Sequence, residues 1–328
     1  DATTDARRFP PLTFTPKKRK HRQMQCLYPL RAMRAPDPLN PGKLIVSFET
    51  SKSYRDLQSP PLPCRNCIAC RITRAQNWTK VLVAENASHE QSSFITLTYD
   101  DDHLPDHFSL EKNISKLFIA PLRERLFREA RKAKQPRPKI KYYLVGEYGD
   151  ESDRPHYHVL LFGYCPNDLR KYSGEGDRTL FSSQFLDSVW KKGDVRVGTV
   201  TPESISYCAK YCLKKLNQTA MDDRYEIDSQ TFELLIRVPE FQRFSKELGL
   251  EYMRRYETEL LVNDSMVING RETSIPKKFL KKLEEVEPTK SALNEHERIL
   301  AARKAASHLS SEDREYLIRQ KTSPRTKL

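Results

Sequence analysis

Apolar and polar positions recur in short blocks along most of the chain, and the period of each block names an element. LIVSFE from Leu44 reads as a strand, and FITLTY at 94–99 alternates with the two-residue period of a half-buried strand. The segment from about Arg71 to His89 reads as a helix. LEKNISKLF running into RERLFREARKAK reads as a helix interrupted near Pro121, because proline has no N–H to give to the preceding turn. KYYLVGEYG and PHYHVLLFG, 141–149 and 155–163, read as two strands joined by a short polar loop, most simply a hairpin. SSQFLDSVWKK predicts a helix, VRVGTV a strand, and TPESISYCAKYCLKKL a last helix with Thr201 as N-cap and Pro202 in its first position. The order β-α-β-α-β-β-α-β-α favours an antiparallel or mixed sheet with helices mainly on one face, an α+β sandwich.

The outer regions read differently. Residues 1–43 are rich in proline and basic groups without a steady period, the pattern of a flexible arm or a solvated tail. Residues 44–220 carry the regular pattern. From 221 to 290 it loosens and turns charged, an extension without an assigned role, and 291–328 read as a charged, helical or disordered tail. No internal repeat is found.

Within the hairpin, RPHYHVLLFG sets two histidines one residue apart at the start of an apolar run. Strand side chains alternate, so His156 and His158 share a face while Tyr157 takes the other. Such a pair can present two nitrogens to one metal ion, or can be two hydrogen-bonded structural histidines. A metal held by histidines usually has a carboxylate beside them. Glu147, at the end of the preceding strand, is the favoured candidate; Glu151 and Asp153 fall in the loop.

The last predicted helix sorts its residues by side. At about 100° per residue, Ile205, Cys208, Ala209, Cys212, Leu213 and Leu216 fall together, and Tyr207, Lys210, Tyr211, Lys214 and Lys215 fall opposite. Tyrosines serving as core filler belong with the leucines, and these do not. Four residues apart, their stems stand about 5–6 Å apart. Flanking lysines suit phosphate and favour the phenolate. The competing reading is an amphipathic helix whose aromatics pack on a neighbour. Taken with the histidines, the helix describes a phosphoryl-transfer site: a metal polarises a phosphate and a tyrosine attacks it.

Charge agrees with a polyanionic partner. Lys and Arg number 57 against 44 acidic residues, a formal excess of +13 with a pI near 9.3. The run KKRKHR, with Lys17, Lys18, Arg19 and Lys20, would lie along a phosphate backbone. No stretch approaches the roughly 20 apolar residues of a membrane span, and no signal peptide is expected. Seven cysteines, an odd number, point to a reducing compartment. The glycosylation patterns at Asn77, Asn113 and Asn217 read as chance.

FITLTY, RPHYHVLLFG and YCAKYCLKK resemble, in that order, the three motifs of the histidine-hydrophobic-histidine (HUH) endonucleases that start rolling-circle replication. The paired tyrosines, CRNCIAC at 64–70, TLTYDDDHLP at 96–105, GEYG at 146–149 and PEF at 239–241 resemble the initiators of microviruses, in particular the gokushovirus branch. The resemblance runs from about Cys26 to Lys282. It implies a ferredoxin-like (RRM-like) central antiparallel sheet, the HUH endonuclease fold, and a Mg2+- or Mn2+-dependent nickase and strand-joining enzyme. It implies His156 and His158 as metal ligands with Glu147 as the third, and Tyr207 and Tyr211 as nucleophiles. Lys214 and Lys210 would be helper lysines. Single-stranded origin DNA, replicative-form DNA, a host helicase and a replication polymerase are the implied partners, in the host bacterial cytoplasm. A related transposase or relaxase, or a non-enzymatic basic DNA-binding protein, are the alternatives.

Cys64, Cys67 and Cys70, with Cys26, offer four thiolates for a structural Zn2+; the other reading is free cysteines at the mouth of the helix from Arg71. Cys208 and Cys212 read as core.

Overall fold

The structure, a computed structural model, describes residues 26–30, 33–37, 40–47, 62–149, 151–211, 225–227, 234–268, 270–304 and 310–322. In chain order the elements are β1 (Met33–Asp37), β2 (Asn40–Ser47), α1 (Ile68–Ala87), β3 (Ser92–Thr98), α2 (Ala120–Lys132), β4 (Lys141–Tyr148), β5 (Pro155–Phe162), β6 (Arg170–Ser173), β7 (Leu180–Ser182), α3 (Gln184–Trp190), β8 (Val195–Gly198) and α4 (Pro202–Tyr211). They continue with β9 (Tyr225–Ile227), β10 (Leu234–Ile236), β11 (Phe241–Phe244), α5 (Leu250–Arg255), α6 (Glu257–Asn263), β12 (Met266–Ile268), β13 (Arg271–Thr273), α7 (Lys277–Val286), α8 (Pro288–Lys304) and α9 (Ser311–Thr322). For β1, β2, β9, β10 and a few helix ends, Tyr211 among them, only the backbone is described.

Seven strands form one sheet in the order β11-β4-β5-β3-β8-β7-β6, every neighbouring pair antiparallel. The α+β class and the antiparallel sheet are as the sequence pattern implies, and β4 and β5 form the expected hairpin. Helices cover both faces of the sheet, where the pattern pointed mainly to one. The reason lies in β4 and β5, which are apolar at consecutive positions and so present an apolar side each way. Leu144, Tyr157, Val159 and Leu161 meet Leu122 and Leu126 of α2 and Leu186 and Trp190 of α3. Tyr143, Val145, Leu160 and Phe162 meet Leu82 and Ala84 of α1, Ile205, Cys208 and Ala209 of α4, and Met253 and Phe279 of α5 and α7.

Local signals hold at two helix starts. Before α2 the chain makes a π-helical turn over Ser115–Ile119, closed by the Ala120 N–H on the Ser115 carbonyl, and Pro121 follows in the first turn. The missing N–H of Pro121 is accommodated by that widened turn. At α4, Thr201 Oγ1 accepts the Ser204 N–H at 3.2 Å and Ser204 Oγ accepts the Thr201 N–H at 2.9 Å, a reciprocal cap.

The boundaries read from composition are redrawn. Residue 43 falls inside β2, which pairs with β1, so strand structure reaches into the stretch read as an arm. Residues beyond 220 are part of the core: β11 extends the sheet beside β4, and α5 and α7 complete the second face. Residue 290 falls inside α8. Strands β6 and β7 escaped the pattern because β6 is exposed throughout and shows no alternation.

One buried polar knot fastens this second face. Glu85, fully buried in α1, accepts from His89 Nε2 at 2.6 Å, from Lys141 Nζ at 2.9 Å and from the Gly249 N–H at 2.5 Å. Gly249 has φ +76°, and a Cβ there would stand 2.8 Å from the Phe279 ring, so glycine is required. Burial alone would raise the Glu85 carboxyl; the hydrogen bonds from His89, Lys141 and Gly249 outweigh it and hold its pKa below the usual range. The stability it contributes is present above the unfolded carboxyl value and lost as pH falls through the depressed one. Glu85→Ala is expected to lower the unfolding free energy by about 3 kcal/mol at pH 7, measured by urea denaturation, with the gap from the parent closing toward pH 3.

Candidate active site

The face of β5 that carries α4 reads His156, His158, Leu160, Phe162, polar at one end and apolar under the helices. On β4 the same face reads Tyr143, Val145, Glu147, and the antiparallel register sets Glu147 directly opposite His156. Phe94, Thr96 and Thr98 of β3 continue it on the other side, with Thr96 opposite His158 and Thr98 opposite His156. Two imidazoles can open an apolar run because the alternation carries them beyond the edge of the helix layer.

The three side chains converge. Glu147 Oε1 lies 2.5 Å from His158 Nε2 and 3.2 Å from His156 Nε2. One donor atom from each residue can be chosen so that all lie within 4.8 Å of one another. The outer ring nitrogens are held from behind: His156 Nδ1 donates to the Arg154 carbonyl at 3.2 Å, and His158 Nδ1 meets Thr96 Oγ1 at 3.0 Å. Phe94 stacks on the His158 ring at 5.3 Å between centroids, so both rings are fixed with Nε2 toward the carboxylate.

Electrostatics follow from this closeness. Glu147 is 0% exposed, and burial alone would raise its pKa; the hydrogen bonds and charges of His156 and His158 outweigh burial and hold it below the ordinary value. Burial alone would lower His156, and Glu147, chiefly, holds it above the usual imidazole value. Glu147 Oε2 is buried with no hydrogen-bond partner among the described residues. A buried carboxylate oxygen left without a donor, facing two oriented imidazoles, fits a divalent cation better than it fits a purely structural hydrogen-bond network. Two nitrogens and a carboxylate suit Mn2+ at least as well as Mg2+.

Above the cluster lies α4. Ile205, Cys208 and Ala209 point into the core, as the helical period requires, and Tyr207 comes round on the other side, 42% exposed. Its ring stands edge-on to His158, 5.3 Å between centroids at 85°, and its hydroxyl donates to Glu147 Oε1 at 3.4 Å. One phenol therefore shares a carboxylate with both imidazoles. Tyr211 is the last residue of α4, and its side chain lies outside the described residues, as do Lys214, Lys215, Cys212 and the basic run Lys17, Lys18, Arg19 and Lys20. Lys210 is exposed on α4.

Sequence reasoning missed the supports. Thr96 and Phe94 carried a signal, since they alternate on the FITLTY strand, but only the β3–β5 register brings them to His158. Glu240 accepts the Tyr148 N–H at 3.1 Å and acts on His156 electrostatically, which gives the PEF phrase a place beside the cluster. Of the loop acids, Glu151 is exposed and Asp153 pairs with Arg237.

An antiparallel sheet with a carboxylate and two imidazoles on one face, overlooked by a helix-borne tyrosine, has the layout of a protein acting on phosphodiesters. Residues 92–216 match the family of replication-associated proteins of the ORF2 type. The chain is 31% identical over 259 residues to the replication-associated protein VP4 of Bdellovibrio phage phiMH2K, covering 78% of this chain and 76% of that protein. It is 32% identical over 254 residues to the replication-associated protein ORF4 of Chlamydia phage 1, covering 76% of this chain and 60% of that protein. It is 28% identical over 253 residues to the replication-associated protein ORF2 of Spiroplasma virus 4, covering 73% and 72%. No solved structure matches. The chain belongs to the replication-associated proteins of small phages, the microvirus-type rolling-circle initiators that its motifs resemble. Among the described residues, no helix is long and apolar enough to cross a membrane.

Metal-free, the pairing of Glu147 with His156 stabilises the fold most between about pH 4.3 and 6.5, the ordinary carboxyl and imidazole values. It is lost as acid protonates Glu147 below its depressed pKa, and again as pH rises through the raised pKa of His156. A bound divalent ion reverses the alkaline limb, since a ligating imidazole must be neutral. Mn2+ at about 100 times its Kd is expected to raise the unfolding free energy by about 2.7 kcal/mol at pH 8, with a gain that shrinks by pH 6 and vanishes in Glu147→Ala. Thermal melts read this; a gain surviving in Glu147→Ala would rule out this donor set.

Proposed function

We propose that this chain nicks a single-stranded DNA origin, and the same sequence in replicative-form DNA, by attack of a tyrosine, and later rejoins the displaced strand. The observation that carries the reading is the Tyr207 hydroxyl, 3.4 Å from the carboxylate oxygen that faces both imidazoles. Glu147, His156 and His158 are the residues that would hold Mg2+ or Mn2+, which when bound neutralises and polarises a phosphate. Everything else is done by the chain itself.

Thr96 and the Arg154 carbonyl fix the imidazoles, so no ring has to turn as the substrate enters. Glu147 orients the Tyr207 hydroxyl. The phenolic oxygen forms a bond to phosphorus while the P–O3′ bond breaks, and the phenolic proton is balanced by the one gained on the departing 3′ oxygen. The products are a 5′-phosphotyrosine and a 3′-hydroxyl that primes synthesis. A diester is exchanged for a diester, so rejoining needs no nucleoside triphosphate. Tyr211, four residues further on, stands one helical turn away and supplies the second attack while the first end is still held. Lys210 and Lys214 each follow a tyrosine by three residues and would contact phosphate, with Lys215 and the run Lys17 to Lys20 along the flanking strand. A primer and a displaced strand call for a helicase and a polymerase, which the host bacterial cytoplasm would supply.

The test is trapping of a covalent adduct on a single-stranded origin oligonucleotide with Mg2+ or Mn2+. Tyr207→Phe and Tyr211→Phe are each expected to leave partial activity, and the double variant to lose at least about 10³-fold. Chelation, or His156→Ala with His158→Ala, abolishes the adduct. An adduct formed by the double tyrosine variant would overturn the assignment. Neutralising Lys17, Lys18, Arg19 and Lys20 is expected to lower the slope of log K against log salt by up to about 3; an unchanged slope would remove that run from the DNA path.

A further inference from the structure

We propose that Cys26, Cys64, Cys67 and Cys70 bind one Zn2+ ion through four thiolates, and that this ion clasps the segment at 26–30, and with it α9, to the start of α1. The proposal does not depend on the nicking chemistry, since none of these residues belongs to the Glu147 cluster.

The geometry comes first. Cys26 Sγ lies 3.9 Å from Cys67 Sγ, Cys64 Sγ lies 4.0 Å from Cys70 Sγ, and all four sulfurs lie within 4.8 Å of one another. Four sulfurs held at about 2.3 Å around a tetrahedral zinc would stand about 3.8 Å apart. Disulfide sulfurs would stand about 2.0 Å apart, and all four cysteines are free. The spacing is thus that of sulfurs gathered about a common centre.

The surroundings suit thiolates. Main-chain N–H groups aim at the sulfurs: Leu27 at Cys67 Sγ (3.4 Å), Cys64 at Cys26 Sγ (3.2 Å) and Cys67 at Cys64 Sγ (3.3 Å). Such donors stabilise negative charge on sulfur. Arg65, between the first two cysteines of CRNCIAC, has φ +67°, a left-handed turn unusual for a residue with a side chain. That turn folds Cys64 and Cys67 toward one point, and the first helical turn returns Cys70 to it. Arg71 lies within electrostatic range of Cys64 and Cys67, close to Arg74 and Arg319, which offsets the net charge of four thiolates around a divalent ion.

The bland reading is four reduced cysteines acting as small apolar filler. Against it, Cys26, Cys64 and Cys70 are only partly buried, and the apolar cluster they touch is small, consisting of Leu27, Cys67 and Ala69 with Ile68 and Ile318 beside them. A core of that size does not by itself order a segment 38 residues away in sequence from its partner (Cys26 to Cys64). All-sulfur donors select zinc over the Mg2+ and Mn2+ that oxygen ligands prefer, and zinc binds more tightly than ferrous iron.

The ion would also fasten the far end of the chain. Ser311 Oγ donates to the Leu27 carbonyl at 2.8 Å, Tyr28 Oη donates to Glu315 Oε2 at 2.8 Å, and Ile318 packs on the cysteine cluster. Helix α9 thus rests on a segment whose own anchor is the thiolate site.

The experiment uses the full chain, expressed with zinc in the medium and purified without chelator. Elemental analysis is expected to find one zinc per chain, retained in His156→Ala with His158→Ala and lost in Cys64→Ser with Cys67→Ser. In the parent protein, four more thiols should react with a disulfide reagent after chelation than before, and amide exchange in 311–322 should quicken. The parent-protein measurements stand even where the cysteine variant fails to fold. Absence of zinc, iron in its place, zinc retained in the cysteine variant, thiol counts unchanged by chelation, or exchange in 311–322 indifferent to it would each overturn the corresponding part of the proposal, the first four the site and the last the clasp.

Discussion

A carboxylate with no access to water, opposite two imidazoles on the face of a sheet, constrains everything around it in this molecule. Glu147 has no solvent to stabilise its charge, so the protein must supply positive charge at its oxygens. His158 and His156 do this in the metal-free state, with one carboxylate oxygen serving both. The second oxygen remains without a donor, which is the arrangement a divalent ion would complete. The outer-nitrogen contacts to Thr96 and Arg154 follow from the same demand, because an imidazole that must present Nε2 inward has to be held through Nδ1.

The fold places this charge where it can be both dry and reachable. On one face of β4 and β5 the side chains pass from Tyr143, Phe162 and Leu160, sealed beneath α1, α4 and α7, to Glu147 and the two histidines at the rim. Helix α4 sits at that transition. Ile205, Cys208 and Ala209 anchor it to the core, and the same helical period brings Tyr207 over His158. A small rotation of α4 would separate the phenol from the carboxylate, so the packing of α4 on α1 and the reciprocal cap of Thr201 and Ser204 serve the site as much as they serve the fold.

The hairpin, the shared face of His156 and His158, the choice of Glu147, the cap at Thr201 and the break at Pro121 were all legible in the sequence. Each depends on residues close together along the chain, whose relation is set by the strand period, the helix period or the chemistry of proline. The exposed ribbon of β6 and β7 and the edge strand β11 left no such trace, being short and lacking alternation. The stretch beyond residue 220 looked like an appendage for a related reason. Its apolar residues, Met253 and Phe279 among them, are widely spaced and gain meaning only against α1 and β4.

Sequence by itself determined which residue types were offered and in what local order: two imidazoles on one strand face, a carboxylate one hairpin away, two tyrosines one helical turn apart, and three cysteines at three-residue intervals. Tertiary structure alone decided that Glu147 stands opposite His156 and not one residue out of step, that Thr96 backs His158, and that Tyr207 reaches the carboxylate across 60 residues. It also brought Cys26 to the other three cysteines and α9 to Leu27. The division has a physical cause. Backbone periods are set by covalent geometry and act over a few residues, whereas register and helix seating are set by the burial of apolar surface drawn from the whole chain.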